Sequence, residues 1–210
     1  MLYTSTSTSS ESFKILAVSQ ANAQGHPALP KTEEEIAKIQ THANGHSVIS
    51  LGGSMATVDC VTKEMQDCTW IHFACHGVQR IDDPLKSALI LHGGKHLELG
   101  EIAKMNLPKA RFAFLSACLT ATGGKQLADG AVHLASVMLS VGYQGVIATM
   151  WEIQDQDGPV VSNLVYADLL RNKQPDHKRA AEALHFAVEH LRKEEGAPLL
   201  RWVPFIHSGL

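Results

Sequence analysis

Short apolar runs alternate with amphipathic segments along most of the chain. The runs have the length and the β-forming residues of buried strands, and they fall at residues 13–19, 46–51, 70–75, 111–117, 145–151 and 199–206. The segments between them carry apolar residues at helical spacing, which predicts helices near residues 32–44, 57–66, 128–143, 159–171 and 178–195. Because alternating strands and helices form parallel crossovers, the pattern predicts a doubly wound, three-layer α/β domain with a mostly parallel central sheet.

Local signals add detail at three points. Thr32 precedes three glutamates, and an N-cap residue followed by acidic residues is typical of a helix start. Two short alternating runs between residues 85 and 99 flank a His-Gly-Gly turn, which predicts an antiparallel β-hairpin inserted into the sheet. The Ser/Thr-rich residues 1–12 predict a flexible lead-in, and residues 13–210 form the single predicted domain.

Composition narrows the possible function classes. The 210 residues are 45% hydrophobic and 19% charged, as expected of one globular domain. The net charge of −3 lacks the positive field that nucleic-acid binding requires, so we expect no nucleic-acid partner. No apolar window of about 18 residues predicts a membrane-spanning helix. The 4 cysteines follow no secretion signal and indicate a reducing compartment, so we expect a soluble cytoplasmic protein.

Two of the predicted core strands end in residues that can carry chemistry. The first ends at His76-Gly77, and the next core strand ends at Cys118. We expect both strands to break at these residues and, if they are neighbours, to present the imidazole and the thiol at the same edge of the sheet. A cysteine nucleophile needs such an imidazole, because the attacking species is the thiolate.

Other interpretations of these residues stay open at this point. A single cysteine or histidine after an apolar run is more often a core residue than a catalytic group. Zinc binding is a more specific alternative, since these strands contain four possible ligands: His72, Cys75, His76 and Cys118. Adjacent strand residues point to opposite faces, however, so Cys75 and His76 are poorly placed to share one ion. We therefore predict no metal site.

Four motifs in order make the sequence similar to a known family. They are FACHG at 73–77, DPLKSALIL at 83–91, FLSACLT at 114–120 and GYQGVIATMWEI at 142–153. Together they resemble the CHAT domain, a caspase-like module of the caspase–separase group of cysteine peptidases. The resemblance covers residues 70–170 and implies the three-layer caspase–hemoglobinase fold.

The resemblance also implies roles for individual residues. His76 matches the catalytic histidine, Cys118 matches the nucleophile, and the backbone N–H groups of Gly77 and Cys118 match the oxyanion hole. The loop after the nucleophile departs from the family pattern. Many members have a Gly-Glu pair at a fixed distance after the cysteine. Here Asp129-Gly130 stands in that region, with the acid before the glycine and at a different distance, so Asp129 is the substrate-binding acid expected there.

Acidic residues after the following strand suggest a substrate preference. Separases belong to the group of peptidases that the sequence resembles. In them, an acidic residue that follows a tryptophan binds the basic side chain of the substrate residue just before the cleaved bond. Here Glu152, Asp155 and Asp157 follow Trp151. We expect Asp155 above all, with Glu152, to bind a Lys or Arg side chain of the substrate. The alternative is a solvated acidic turn that caps the helix at Pro159.

The leading functional hypothesis is a cysteine endopeptidase that cleaves a protein or peptide through a thioester and uses no cofactor. The alternative from another class is a catalytically silent caspase-fold module that binds signalling partners. A third hypothesis is a flavodoxin-like domain with a small ligand in its crevice. The resemblance further implies a helical-repeat, TPR-type regulatory region or partner.

Overall fold

Strands and helices alternate in the computed structural model, which describes residues 13–80, 82–121 and 129–210, with backbone only for 118–121 and 129–133. The strands are β1 (Lys14–Ser19), β2 (Ser47–Gly52), β3 (Trp70–Gln79), β4 (Ala88–Ile90), β5 (His96–Glu98), β6 (Phe112–Ala121), β7 (Gly145–Thr149) and β8 (Phe205–Gly209). The helices are α1 (Lys31–His42), α2 (Val58–Met65), α3 (Leu99–Ile102), α4 (Asp129–Ser140), α5 (Asp157–Leu169), α6 (Ala180–Lys193) and α7 (Leu199–Trp202).

The strands form one sheet in the order β2-β1-β3-β6-β7-β8. The first five strands of this order run parallel, and β8 pairs with β7 in the antiparallel direction. The hairpin of β4 and β5 attaches to the end of β3 through antiparallel pairing. The predicted mostly parallel sheet with a hairpin insertion is confirmed.

Each face of the sheet carries its own hydrophobic core. Helices α2, α3 and α4 cover one face, where Ile71, Phe73 and Cys75 of β3 point. Helices α1, α5 and α6 cover the other face, where Trp70 and Ala74 point. Successive strand residues alternate between the two faces, so buried strands covered on both sides are continuous apolar runs, as the sequence shows. The domain therefore has three layers.

Both strands that carry candidate residues are longer than predicted. β3 does not break at His76-Gly77 but continues to Gln79, because Gly77 and Val78 pair with the hairpin strand β4. β6 does not end before Cys118 but continues to Ala121, pairing with β3 throughout. The predicted breaks were wrong because tertiary pairing extended both strands beyond their apolar runs.

Two terminal predictions also differ from the structure. The strand predicted at residues 199–206 is a short helix, α7, followed by β8 at Phe205–Gly209. Thr32 is not the N-cap of α1, because the helix begins one residue earlier, at Lys31. The hydroxyl of Thr32 instead donates to the Leu29 carbonyl. The predicted lead-in, residues 1–12, lies outside the described residues.

The described helices include none that is both long and apolar enough to cross a lipid bilayer.

Candidate active site

The two candidate catalytic residues occupy matching positions in neighbouring strands. β3 and β6 run parallel, and His76 is the register partner of Cys118. Adjacent strands in a sheet lie about 4.8 Å apart, so the register brings the two backbones close together. Ser116 pairs with Ala74 one step earlier on the same face. The predicted adjacency of the two strands is therefore present in the fold, while the Cys118 side chain lies outside the described residues.

The imidazole of His76 is held in one orientation. It is 1% exposed, and its Nε2 lies 2.8 Å from the Pro27 carbonyl oxygen. Because a carbonyl oxygen can only accept, Nε2 carries a proton and donates it to Pro27. The other nitrogen, Nδ1, is buried and has no hydrogen-bond partner among the described residues. In the neutral ring, Nδ1 therefore carries a lone pair that can accept a proton.

A groove of about 850 Å³ lies next to the loop that holds His76. Pro27, whose carbonyl holds His76, lines one side, and Trp151, Glu152 and Asp155 line another. The structure thus brings two of the three predicted substrate-binding acids to a cavity that shares Pro27 with the surroundings of His76.

Besides lining the groove, Asp155 makes a hydrogen bond to the start of a helix. Its Oδ2 accepts the backbone N–H of Lys31, the first residue of α1, at 3.0 Å. A carboxylate at this position satisfies one of the unpaired N–H groups of a helix start. The acidic turn therefore caps α1, which is distant in sequence, whereas the alternative prediction was a cap on the helix at Pro159. Asp155 is half-buried, and Glu152 is exposed.

The third acid of this turn is already paired. Asp157 is completely buried, and both of its carboxylate oxygens accept hydrogen bonds from the Arg201 guanidinium of α7. Arg201 also lines the groove, and the indole N–H of Trp151 donates to the adjacent Leu200 carbonyl at 3.1 Å. These contacts attach α7 to the start of α5 and make it one wall of the groove.

A buried polar cluster beneath the site was not predicted. Ser116 Oγ donates to Glu35 Oε2 at 3.2 Å, and His72 Nε2 lies 3.1 Å from Glu35 Oε1 at an angle unfavourable for a hydrogen bond. Tyr166 Oη lies 3.3 Å from His72 Nδ1. Gly158 allows α5 to pack here, since a Cβ on it would lie 2.8 Å from Glu35 Oε2. The cluster ties α1 and α5 to the strands that carry His76 and Cys118.

Desolvation shapes the titration of buried groups near these strands. Burial, and secondarily the charge of Glu35, raises the pKa of Tyr166 well above its usual value, so the hydroxyl keeps its proton and can donate to His72. Burial likewise raises the pKa of the Cys68 thiol to about 11. Cys68 is therefore an inert reference thiol within the same protein.

The possible zinc ligands do not converge in the described part of the chain. Cys75 points into the core beneath α2 and α4, whereas His72 faces Glu35 and Tyr166 on the opposite side of the sheet. Among the side chains that the structure describes, no three His, Cys, Asp or Glu residues are grouped to hold a metal ion.

Comparison with protein families identifies the chain. The model of the CHAT domain family matches residues 2–210. The chain belongs to the CHAT domain family. This confirms the resemblance found in its motifs and extends it over nearly the whole chain. A search among curated proteins gives no significant match.

Solved structures show the same fold at low sequence identity. The complex of the pro- and mature domains of Porphyromonas gingivalis RgpB matches this CHAT domain with a TM-score of 0.58 and 13% identity, covering 91% of this chain and 46% of the other. The Arg-specific cysteine proteinase gingipain R (RgpB) matches with a TM-score of 0.55 and 13% identity, covering 90% and 45%. The CHAT domain thus spans less than half of those chains and shares their caspase–hemoglobinase fold.

Two further predicted residues of the CHAT domain stay predictions. Gly77 is buried within β3 between β4 and β6, with Leu89 and Leu119 as register partners, instead of at the predicted break of the strand. The backbone of Asp129 begins α4, and its side chain lies outside the described residues.

Proposed function

We propose that this CHAT domain is a cysteine endopeptidase in which Cys118 is the nucleophile and His76 is the proton acceptor. The observation that carries the proposal is the pairing of these residues in register, combined with an imidazole whose Nε2–H is held by Pro27 and whose Nδ1 has no hydrogen-bond partner among the described residues. This tautomer is the one that can take a thiol proton through Nδ1. The shared fold with cysteine proteinases supports the same reading.

The proposed reaction proceeds in two stages. The Cys118 thiol gives its proton to His76, and the thiolate attacks the scissile carbonyl carbon while the backbone N–H of Cys118 donates to the oxyanion. As the C–N bond breaks, the imidazolium gives its proton to the leaving amine and a thioester remains. Water then hydrolyses the thioester, losing a proton to His76 and releasing the carboxylic acid and the free thiol.

We propose a preference for Lys or Arg immediately before the cut. In the described groove, Glu152 and Asp155 contribute two negative charges, whereas the positive charge of Arg201 is compensated by Asp157. The net negative lining favours a cationic side chain, and a partly desolvated carboxylate discriminates strongly for one. Asp129 is the third candidate for substrate binding.

The specificity proposal is tested with two substitutions at one position. Asp155→Asn keeps an oxygen that can accept from the Lys31 N–H but removes the charge, whereas Asp155→Ala removes both. We expect Asp155→Asn to fold as the wild type and to lose at least about tenfold in kcat/KM for peptides with a basic residue before the cut. An unchanged preference in both variants removes Asp155 from the specificity pocket.

Selective labelling tests the catalytic proposal. An activated Cys118 should react with a thiol-directed peptide probe far faster than Cys60 and Cys68, which serve as internal references in the same digest. We expect His76→Ala to slow labelling of Cys118 by about 10²-fold or more, the usual range for loss of a general base. Equal reactivity of Cys118 and Cys60 in the wild type contradicts the proposal.

The second candidate function is a silent interaction module with the same fold. One observation favours it: His76 is only 1% exposed, and a general acid must reach the leaving group of its substrate. The labelling experiment separates the two functions, because in a silent module Cys118 should react with the probe no faster than Cys60.

A further inference from the structure

The loop between β1 and α1 is anchored on the sheet. The Gln20 N–H donates to the Ala74 carbonyl in β3 at 3.0 Å, and the Leu29 N–H donates to the Ala21 carbonyl at 2.8 Å. Between these anchors, Gly25 has a φ of 82°, in the left-handed region that glycine adopts at little cost. The loop therefore follows a fixed course over the strand that carries the candidate base.

Two consecutive residues of this loop contact His76. The Pro27 carbonyl accepts from Nε2, and the ring of His26 packs against the ring of His76 with 4.9 Å between centroids and 31° between planes. His26 is half-buried and reaches solvent, whereas His76 does not. One contact fixes the tautomer of His76, and the other fixes the orientation of its ring.

The two imidazoles are also coupled electrostatically. Burial, then the charges of His76 and of His96 in β5, lower the pKa of His26 below its ordinary value. These two histidines are the titratable groups that act on His26 in the described structure. Two positive rings at this distance repel each other, so protonation of His26 disfavours the imidazolium form of His76.

We infer that His26 is a positioning residue that also makes the site sensitive to acid. The inference rests on the proposed function, since the imidazolium of His76 is the partner that stabilises the Cys118 thiolate. Above the lowered pKa of His26, its neutral ring holds His76 in place without opposing the ion pair. Below it, the charged ring weakens the ion pair, and activity falls.

Two substitutions separate the charge of His26 from its packing. His26→Phe keeps an aromatic face and cannot be protonated, whereas His26→Ala removes the face. The pH dependence of Cys118 alkylation by iodoacetamide and of kcat/KM is measured for both, with the exposed His92→Phe as the matched control. Thermal melting checks that all three variants fold.

In His26→Phe, we expect the acid limb of both profiles to move down by roughly one pH unit, with rates at pH 7.5 within about twofold of wild type. In His26→Ala, we expect kcat to fall about tenfold at pH 7.5 with KM nearly unchanged, because the packing is lost, and the acid limb to move as in His26→Phe, because the charge is lost too. His92→Phe should match the wild type.

Different results identify which proposal fails. If wild-type Cys118 is activated and the acid limb of His26→Phe stays at the wild-type position, the inference about His26 is wrong and the endopeptidase proposal stands. If wild-type Cys118 reacts no faster than Cys60, both are wrong.

Discussion

The pair of Arg201 and Asp157 offers a stability prediction of defined size. The Asp157 side chain is 0% exposed and that of Arg201 is 19% exposed. Arg201→Ala therefore leaves a buried carboxylate with no cation, and breaking such a pair costs about 3–5 kcal/mol. The partial exposure of Arg201 places the expected cost near the lower end, at about 3 kcal/mol. In a domain of this size, 1 kcal/mol corresponds to about 2–4 °C, so we expect the melting temperature to fall by about 6–12 °C.

The assay is thermal unfolding followed by circular dichroism, with two comparison variants. Arg171→Ala removes a cation whose side chain is 50% exposed and whose partner, Asp168, keeps a second arginine, so it should change the melting temperature by less than about 2 °C. Arg201→Met keeps the apolar stem, and combining it with Asp157→Asn should recover part of the loss. An Arg201→Ala variant that melts within 2 °C of wild type would show that the Asp157 carboxylate does not depend on this cation.

Three further predictions concern backbone strain and pH. Gly142 has a φ of 123°, and an added Cβ would lie 2.6 Å from a backbone carbonyl oxygen, so Gly142→Ala should lose about 2 kcal/mol or more in urea unfolding. Hydrogen bonds from Lys109 and Lys14 lower the pKa of Asp67 from 3.8 to about 2. The stability that this lowered pKa confers is present above the unfolded-state pKa and is lost as pH falls toward about 2. Asp67→Asn should therefore make the free energy of unfolding less dependent on pH in this acid range. Burial lowers the pKa of His207 from 6.5. The unfolded chain then binds the proton more readily than the folded one, so the free energy of unfolding falls as pH drops below the ordinary histidine pKa. His207→Gln should make the free energy of unfolding less dependent on pH between about pH 7 and 5.

The sheet and the adjacency of the two candidate residues could be predicted because they depend on local pattern. Buried parallel strands are continuous apolar runs, and strands that follow one another along the chain are commonly neighbours in the sheet, which places His76 beside Cys118 within β3 and β6. The lengths of β3 and β6 could not be predicted in this way, since Gly77 and Val78 are in a strand through pairing with β4. The hairpin was predicted, but the length by which its pairing extends β3 is set by a tertiary contact that no local pattern marks.

The residues that hold His76 were missed for a similar reason. Pro27 and His26 reach it from a loop about fifty residues away, and no periodic pattern marks such a contact. Glu35 did leave a signal, since it shares a helix face with the buried Ile36 and Ile39. A glutamate on the apolar face of a helix indicates a buried polar partner, and His72, within an apolar strand, was available to pair with it.

A peptide-library digest with the wild type beside Cys118→Ala and His76→Ala asks whether Cys118 and His76 cleave peptide bonds. We expect cleavage by the wild type and a loss of about 10²-fold or more in each variant, with the folded state preserved. Cleavage that survives at the wild-type rate in Cys118→Ala contradicts the proposed role of Cys118.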